Sequence, residues 1–441
     1  MVSGQWSVNT TDNGRRTTDK NVDVLFIHDA FPAQFGRLGL ELTRRHGWKC
    51  RYLVQSLSSC PTPTREMLQA LEIHKMPLTA EHRSREGIPW PQIYGHYLDQ
   101  CRTVYEVIRT TPQLRADLVV AHGGRGAPTL FLRDALDCPI INYCEYYFAT
   151  SHRDISYRVD LPPAEPAPFF PRCINAPTLA TLVDCDAGYS ATEWQKQSFP
   201  ARFHSKIEVH FDGIERELYH PGPAPRRVGE RSIPAGTRVV TFVSRGLESI
   251  RGFDLFMRAA DGIARARPDV LFIVVGGEEI HYGWDKLHTG APSFKKWVLG
   301  RGSYDLSRFL FLGRILPEQL ADILRISDLH IYLTAPFVLS WSLLNAMASG
   351  CVVLGSDVPP VREVIRPGEN GLVEPLFDVE RLTETALKVL DDPAEFAPLG
   401  RAACRTIEET YSLEVCIPPL KDFFERVAAR RGDEGKGVAC P

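Results

Sequence analysis

The stretch PFVLSWSLLNAMASG, Pro336 to Gly350, sits inside an uncharged run from Ile331 to Ser356. A run of that length raises the question of a membrane span, which takes roughly 20 apolar residues. The local grammar argues against one. Pro336 breaks the run after LHIYLT, which has the composition of a strand. Ser340 is a favoured N-cap. Leu343, Leu344 and Met347 then share one side of a helix. Gly350 suits the position just past a helix end, and CVVLGS reads as a second strand. Strand, loop, helix, glycine, strand is a βαβ unit. A parallel strand buried on both faces carries no charge, which accounts for the run without a bilayer.

The same grammar recurs on both sides of this unit. VDVLFIHDA, WKCRYLVQ, ADLVVAHGG, CPIINYCEYY, CDAGYSAT and KIEVHFDG read as strands or strand–loop units, with helices in RLGLELTRRHG and APTLFLRDALD. HPGPAPRRVGERSIPAG is rich in Pro, Gly and Arg and marks a domain junction. A second series follows: RVVTFVSRG, VLFIVVGGE and RFLFLGRI as strands, GFDLFMRAADGIARARP and PEQLADILRIS as helices, the latter opening on Pro317. The expected architecture is α/β, with two Rossmann-like doubly wound domains facing a cleft. The boundaries read as a lead over residues 1–21, an N-terminal domain over 22–220 and a C-terminal domain over 235–405. A helix over 406–430 and a tail over 431–441 follow. Ligands in such sheets bind beyond the carboxyl ends of the strands, so the cleft is the default site.

Bulk properties narrow the function. Net charge is −3, from 51 basic and 54 acidic side chains, which gives no electrostatic case for nucleic-acid binding. The 11 cysteines are odd in number and scattered, which argues for free thiols and a reducing, cytoplasmic setting. No Cys/His spacing suggests zinc, and the polar N-terminus lacks the apolar core of a secretory signal.

The order of motifs resembles one family. SRGLESIRGFD, VLFIVVGGE, FLGRILPEQLADILRISD and PFVLSWSLLNAMASGCVVLGSDVPPVREVIRPGENGLV follow one another as in the retaining, nucleotide-sugar-dependent glycosyltransferases of family 4, with the two-domain GT-B fold. The resemblance covers about residues 22–430 and is strongest from Arg245 to Glu374. It implies that the C-terminal helix returns toward the N-terminal domain.

The chemistry explains the residue types. A departing nucleoside diphosphate gathers negative charge that a metal or fixed cations must neutralise. No Asp-x-Asp metal motif follows a strand, so fixed cations are expected. Arg245 and Arg251 match the family's diphosphate clamp, with Arg in place of the usual Lys at the second position. Ser340, Trp341 and Ser342 open a helix whose start offers backbone N–H groups to phosphate. The resemblance also implies roles for Gly276 and Gly277 at a strand end, and for Arg314 and Ile315 in the loop that meets the base. The N-terminal half departs from the family: Gln34 lies in a Phe-Pro-x-Gln-Phe variant of the usual Gly-Gly loop, and Glu145 stands where many members have a His near the reacting sugar. His122, Gly123 and Gly124 follow a strand, where the glycines leave room for a phosphate or sugar close to the backbone. Glu363 matches a further family glutamate.

Two further positions, around the quoted helix, depart from the pattern. The family usually carries two glutamates eight residues apart around the quoted helix, and here they are Phe337 and Asn345. Phe337 occurs in a branch with PFVLSWS-like sequences. Asn345 keeps hydrogen-bonding capacity but not a charge-assisted bond to the ribose.

These readings together imply a retaining, metal-independent glycosyltransferase with no resident cofactor. Its donor is a nucleoside-diphosphate sugar, UDP first and GDP next, and its acceptor is a glycan, a lipid intermediate or a small natural product. The rival readings are a weak or inactive nucleotide-sugar binder and a sugar-nucleotide epimerase.

Overall fold

The computed structural model describes residues 22–57, 63–77, 90–123, 129–149, 153–162, 169–282 and 285–434. Gly124, the expected lead over 1–21 and the last part of the expected tail lie outside them. Two parallel sheets organise the chain. The first contains β1 (Asp23–Phe31), β2 (Lys49–Leu57), β3 (Glu72–Lys75), β4 (Leu118–His122), β5 (Ile140–Tyr143), β6 (Ala187–Ser190) and β7 (Ile207–Val209). Its spatial order is 3-2-1-4-5-6-7. A short antiparallel pair, β8 (Arg227–Val228) and β9 (Arg231–Ser232), precedes the second sheet. That sheet contains β10 (Arg238–Gly246), β11 (Val270–Gly277), β12 (Phe309–Gly313), β13 (Leu329–Tyr332), β14 (Val353–Ser356) and β15 (Leu372–Glu374), in the order 12-11-10-13-14-15. Both orders reverse beside the first strand of their series, and that switch point is where such sheets open a crevice.

The helices of the first half are α1 (Phe35–His46), α2 (Arg65–Ala70), α3 (Trp90–Thr110), α4 (Phe169–Asp184) and α5 (Glu193–Ser198). Those of the second half are α6 (Phe253–Ala266), α7 (Asp285–Thr289), α8 (Phe294–Arg301), α9 (Pro317–Arg325), α10 (Trp341–Ala348), α11 (Pro359–Arg362), α12 (Val379–Asp391), α13 (Pro393–Thr406) and α14 (Leu413–Glu434). The uncharged run is β13, loop, α10 and β14, and all four residues of each strand are buried. Among the described residues no helix is long and apolar enough to cross a membrane.

Each sheet is covered on both faces. In the second domain, Val240, Phe242, Phe256 and Phe272 fill one face. Val239, Ile273, Leu343, Leu344 and Met347 fill the other. In the first domain, one face is completed from far along the chain: Leu413, Ile417, Leu420, Phe423 and Phe424 of α14 pack with Trp48, Tyr52 and Tyr189.

Three local expectations differ from the structure. The helix expected over APTLFLRDALD is, in its described part, a single 3-10 turn at Leu132–Asp134. The final helix starts later and runs further than 406–430, because a π-turn at Ile407–Tyr411 and an extended Ser412 separate it from α13. The crossing between domains lies upstream of the Pro-rich junction. Ile214 pairs with Ser412, so the two connections run side by side. Gly213 is left-handed there (φ 87°), and a Cβ on it would lie 2.9 Å from the Leu413 Cα, a contact only glycine allows. The stretch from Pro221 onward lies against the second domain instead, where the Arg226 guanidinium donates to Pro234 O and Thr237 O.

Candidate active site

The C-terminal wall of the cleft is built at the end of β10. Arg245 points outward and is exposed, while Glu248 and Arg251 turn inward and are buried. A 3-10 turn, Ser249–Arg251, makes the bend. It ends on left-handed Gly252 (φ 66°), where a Cβ would stand 2.6 Å from the Leu333 Cβ. Arg251 is held on several sides. Its Nη1 donates to Thr334 Oγ1 (3.1 Å) and to Val338 O (2.9 Å). Its guanidinium lies over the rings of Phe337 (5.6 Å) and Tyr282 (5.9 Å). These bonds bring a fixed cation to the loop that leads into α10.

At the head of α10, Ser340 Oγ accepts from Ser342 N (3.3 Å), and Ser340 N donates to the Tyr332 hydroxyl (3.0 Å). Trp341 and Asn345 are half-buried on the same helix. Gly276 and Gly277 end β11, and a Cβ on Gly276 would meet Ser244 O at 2.6 Å. Arg314 pairs with Glu279 (3.0 Å) beside them. The Ile315 side chain packs into the domain core, so only its backbone is placed to meet a ligand.

The N-terminal wall gathers Gln34, His122 and Glu145 from three strand ends. Gln34 Nε2 donates to Glu145 Oε1 (3.4 Å), and His122 Nε2 lies 3.3 Å from Glu145 Oε2. The His28 ring stands edge-on to His122, with centroids 5.0 Å apart. Gly123 N donates to Tyr143 O (3.2 Å). Burial presses the His122 pKa down, but the Glu145 carboxylate outweighs it and leaves a net rise. Asp212 lies beneath this cluster, 7% exposed, with its Oδ1 buried and without a hydrogen-bond partner. Burial first, and the Glu145 charge second, push its pKa up to about 7.

Several participants escape sequence reasoning. Phe337 does not face an open pocket. It is 2% exposed and packs with Tyr146, Phe148, Ile174, Ile250 and Ala335. Tyr146 and Phe148 follow β5 in the first domain, and their segment continues as a strap onto the second. Within it, Asp154 Oδ2 accepts from Ala149 N (2.9 Å) and the Tyr146 hydroxyl (3.3 Å). Arg158 then forks onto Asp254 (2.7 and 3.0 Å), Asp160 and Ser249 O. Glu363 also joins the domains. Its carboxylate accepts from Glu193 N (2.6 Å) and Trp194 N (2.9 Å) at the start of α5, where an anion suits the helix end. Among the described residues no group of three or more His, Cys, Asp or Glu side chains is placed to hold a metal.

Residues 58–218 match the family model described as Glycosyl transferase family 4 group, and residues 227–405 match Glycosyl transferases group 1. Among curated relatives, the chain is 26% identical over 247 residues to D-inositol 3-phosphate glycosyltransferase of Gordonia bronchialis, covering 54% of this chain and 51% of that protein. It is 28% identical over 228 residues to the lipopolysaccharide core biosynthesis mannosyltransferase LpcC of Rhizobium leguminosarum, covering 51% and 60%. The chain spans about half the length of the curated relatives it matches. Among solved structures, sucrose-phosphate synthase from Thermosynechococcus elongatus superposes with a TM-score of 0.70 at 16% identity, over 93% of this chain and 100% of that one. HepE of Anabaena, solved with UDP and glucose, gives 0.66 at 14%, over 92% and 100%. The fold is the paired Rossmann-like arrangement of these proteins.

Proposed function

We propose that this chain is a GT-B glycosyltransferase of the family 4-like type, transferring a sugar from a nucleoside-diphosphate sugar. Both family-model matches and the names of the relatives support a transferase. One observation carries the reading furthest: Arg251 is a buried cation, held through its Nη1 and over two rings, just past the first strand of the second sheet and beside the loop into α10. That is where charge on a leaving diphosphate has to be met.

In this reading Arg245 and Arg251 clamp the diphosphate, and the α10 start (Ser340, Trp341, Ser342) adds backbone N–H groups. Gly276 and Gly277 let the nucleotide approach the backbone, while Arg314 and the Ile315 backbone border the base. Asn345 meets the ribose. The acceptor lies against Gln34, His122, Gly123 and Glu145. The configuration at the anomeric carbon is retained by front-face attack, with the leaving phosphate taking the acceptor proton. The fixed arginines stand where a metal would otherwise be needed. UDP is the favoured base carrier and GDP the next. The scattered cysteines, free among the described residues, suit a cytoplasmic setting.

A second reading, nucleotide-sugar binding without turnover, draws support from Phe337 and Asn345, which replace both usual glutamates. One experiment separates the two. Melting temperatures are measured with UDP, GDP, ADP and their sugars, with and without EDTA, since a ligand of the folded state raises them. A base-selective rise that survives EDTA, followed by turnover of that donor, is the expected result. A rise without turnover of any donor selects the binder, and no rise at millimolar nucleotide rejects both.

A further inference from the structure

We infer that Glu248 is a positioning residue for the diphosphate clamp: it ties the 278–282 loop over Arg251 and sets how much positive charge that guanidinium presents. The inference rests on the reading of Arg251 as a diphosphate ligand.

Glu248 lies between the two clamp arginines in sequence, yet its side chain is fully buried. A buried carboxylate survives only where something holds it. Here Oε2 accepts from His281 N (2.7 Å) and Tyr282 N (3.0 Å). Oε1 is buried with no hydrogen-bond partner. The loop bound in this way carries Tyr282, whose ring packs on Phe337 (4.9 Å) and on the Arg251 guanidinium (5.9 Å). A second acid ties the same turn from the far side of the loop: Asp285 accepts from Ser249 N (2.7 Å) and from the Ser249 hydroxyl. Loop, turn and guanidinium are therefore joined around Glu248.

The charges around Glu248 decide what it does to Arg251. Its own turn supplies Arg251, the loop supplies the His281 and Tyr282 backbone N–H groups, and the start of α7 supplies Asp285. His281 is held neutral at about 4, first by burial and then by Arg245 and Arg314. Burial pushes the Asp285 pKa up, against its bonds to Ser249 and the charge of Arg158. Burial likewise pushes Glu248 to about 8, against the two loop N–H groups and Arg251. At neutral pH the clamp therefore keeps the full charge of Arg251. Above about pH 8 an ionised Glu248 cancels part of it, and a bound diphosphate feels a weaker cation.

The test is calorimetric titration of the full chain with UDP-glucose and GDP-mannose from pH 6.5 to 9, for wild type, Glu248→Gln and Arg251→Ala. The diphosphate diester of these probes keeps its charge over that range. Wild type should lose about tenfold in affinity across the range, by the change in local charge. Glu248→Gln, which has the same shape and no titration, should show no dependence on pH. Arg251→Ala should bind weakly and without pH dependence. A merely structural Glu248 would weaken binding equally at every pH when replaced. A flat wild-type profile, or a fall retained in Glu248→Gln, overturns the role of Glu248 and leaves the glycosyltransferase reading standing. No binding by wild type at any pH overturns both.

Discussion

The Tyr146 ring of the first domain stands nearly perpendicular to the Phe337 ring of the second, with centroids 4.9 Å apart and planes at 70°. The position where the sequence resemblance expects a glutamate is thus an apolar joint between domains. Such edge-to-face pairs add to the area they bury. Phe337→Ala should empty that joint and lower stability by about 3–5 kcal/mol, read from denaturant unfolding. Phe337→Leu, which keeps most of the volume, should lose much less.

Arg251→Ala should reduce kcat/KM for the preferred donor by about 10²–10³-fold, the usual cost of removing one preorganised charge donor. Arg251→Lys should recover only part of this. A compact ammonium is a point donor and lacks the planar guanidinium that lies over the Phe337 and Tyr282 rings. Equal rates for wild type and Arg251→Ala would remove Arg251 from the clamp.

Asn345→Glu should tighten nucleotide binding. The side chain sits half-buried on α10, and a carboxylate there would offer a charge-assisted bond worth about 1–2 kcal/mol more than an amide. That is roughly 5–30-fold in Kd, measurable by titration. Unchanged or weaker binding would place the ribose elsewhere.

Asp212 supplies a pH prediction. Its folded-state pKa of about 7 is raised from the ordinary 3.8, chiefly by burial. Between about pH 4 and 7 the folded chain holds a proton that the unfolded chain has released. Wild-type stability should therefore fall as pH rises through that window and level off above it. Asp212→Asn removes the effect. Its melting temperature relative to wild type should climb from pH 4.5 to 7.5 and then stay level. A constant difference would mean that Asp212 does not hold its proton at neutral pH.

Arg158→Ala should cost about 3–5 kcal/mol, since it leaves Asp254 without its forked partner in a largely buried place. It should also loosen the strap, seen as faster amide exchange in residues 153–162.

What could be read from sequence was local. The βαβ grammar, the Ser340 cap and the Pro317 helix start each depend on neighbours within a few residues. What stayed hidden depends on distant partners. Tyr146 reaches Pro336 O across 190 residues, and Arg158 reaches Asp254 across 96. Nothing in the spacing of either partner announces the other. Glu248 stood inside a motif already singled out, but it reads there as an ordinary surface acid until the 278–282 loop closes over it. Asp212 sits one residue before the end of KIEVHFDG, where it reads as a turn acid, and only distant groups such as Glu145 and His122 place it beneath the cluster.

The packing of Phe423 and Phe424 against Trp48 and Tyr189 bears on how the chain is made. A ribosome working from the N-terminus releases the whole first sheet long before it reaches α14. Until then one face of that sheet lacks the helix that covers it. The second domain, contiguous from β10 to α13, has all its own layers earlier. The half of the molecule that is translated first is therefore the half that finishes folding last, and while it waits it exposes an aromatic surface that chaperones would recognise.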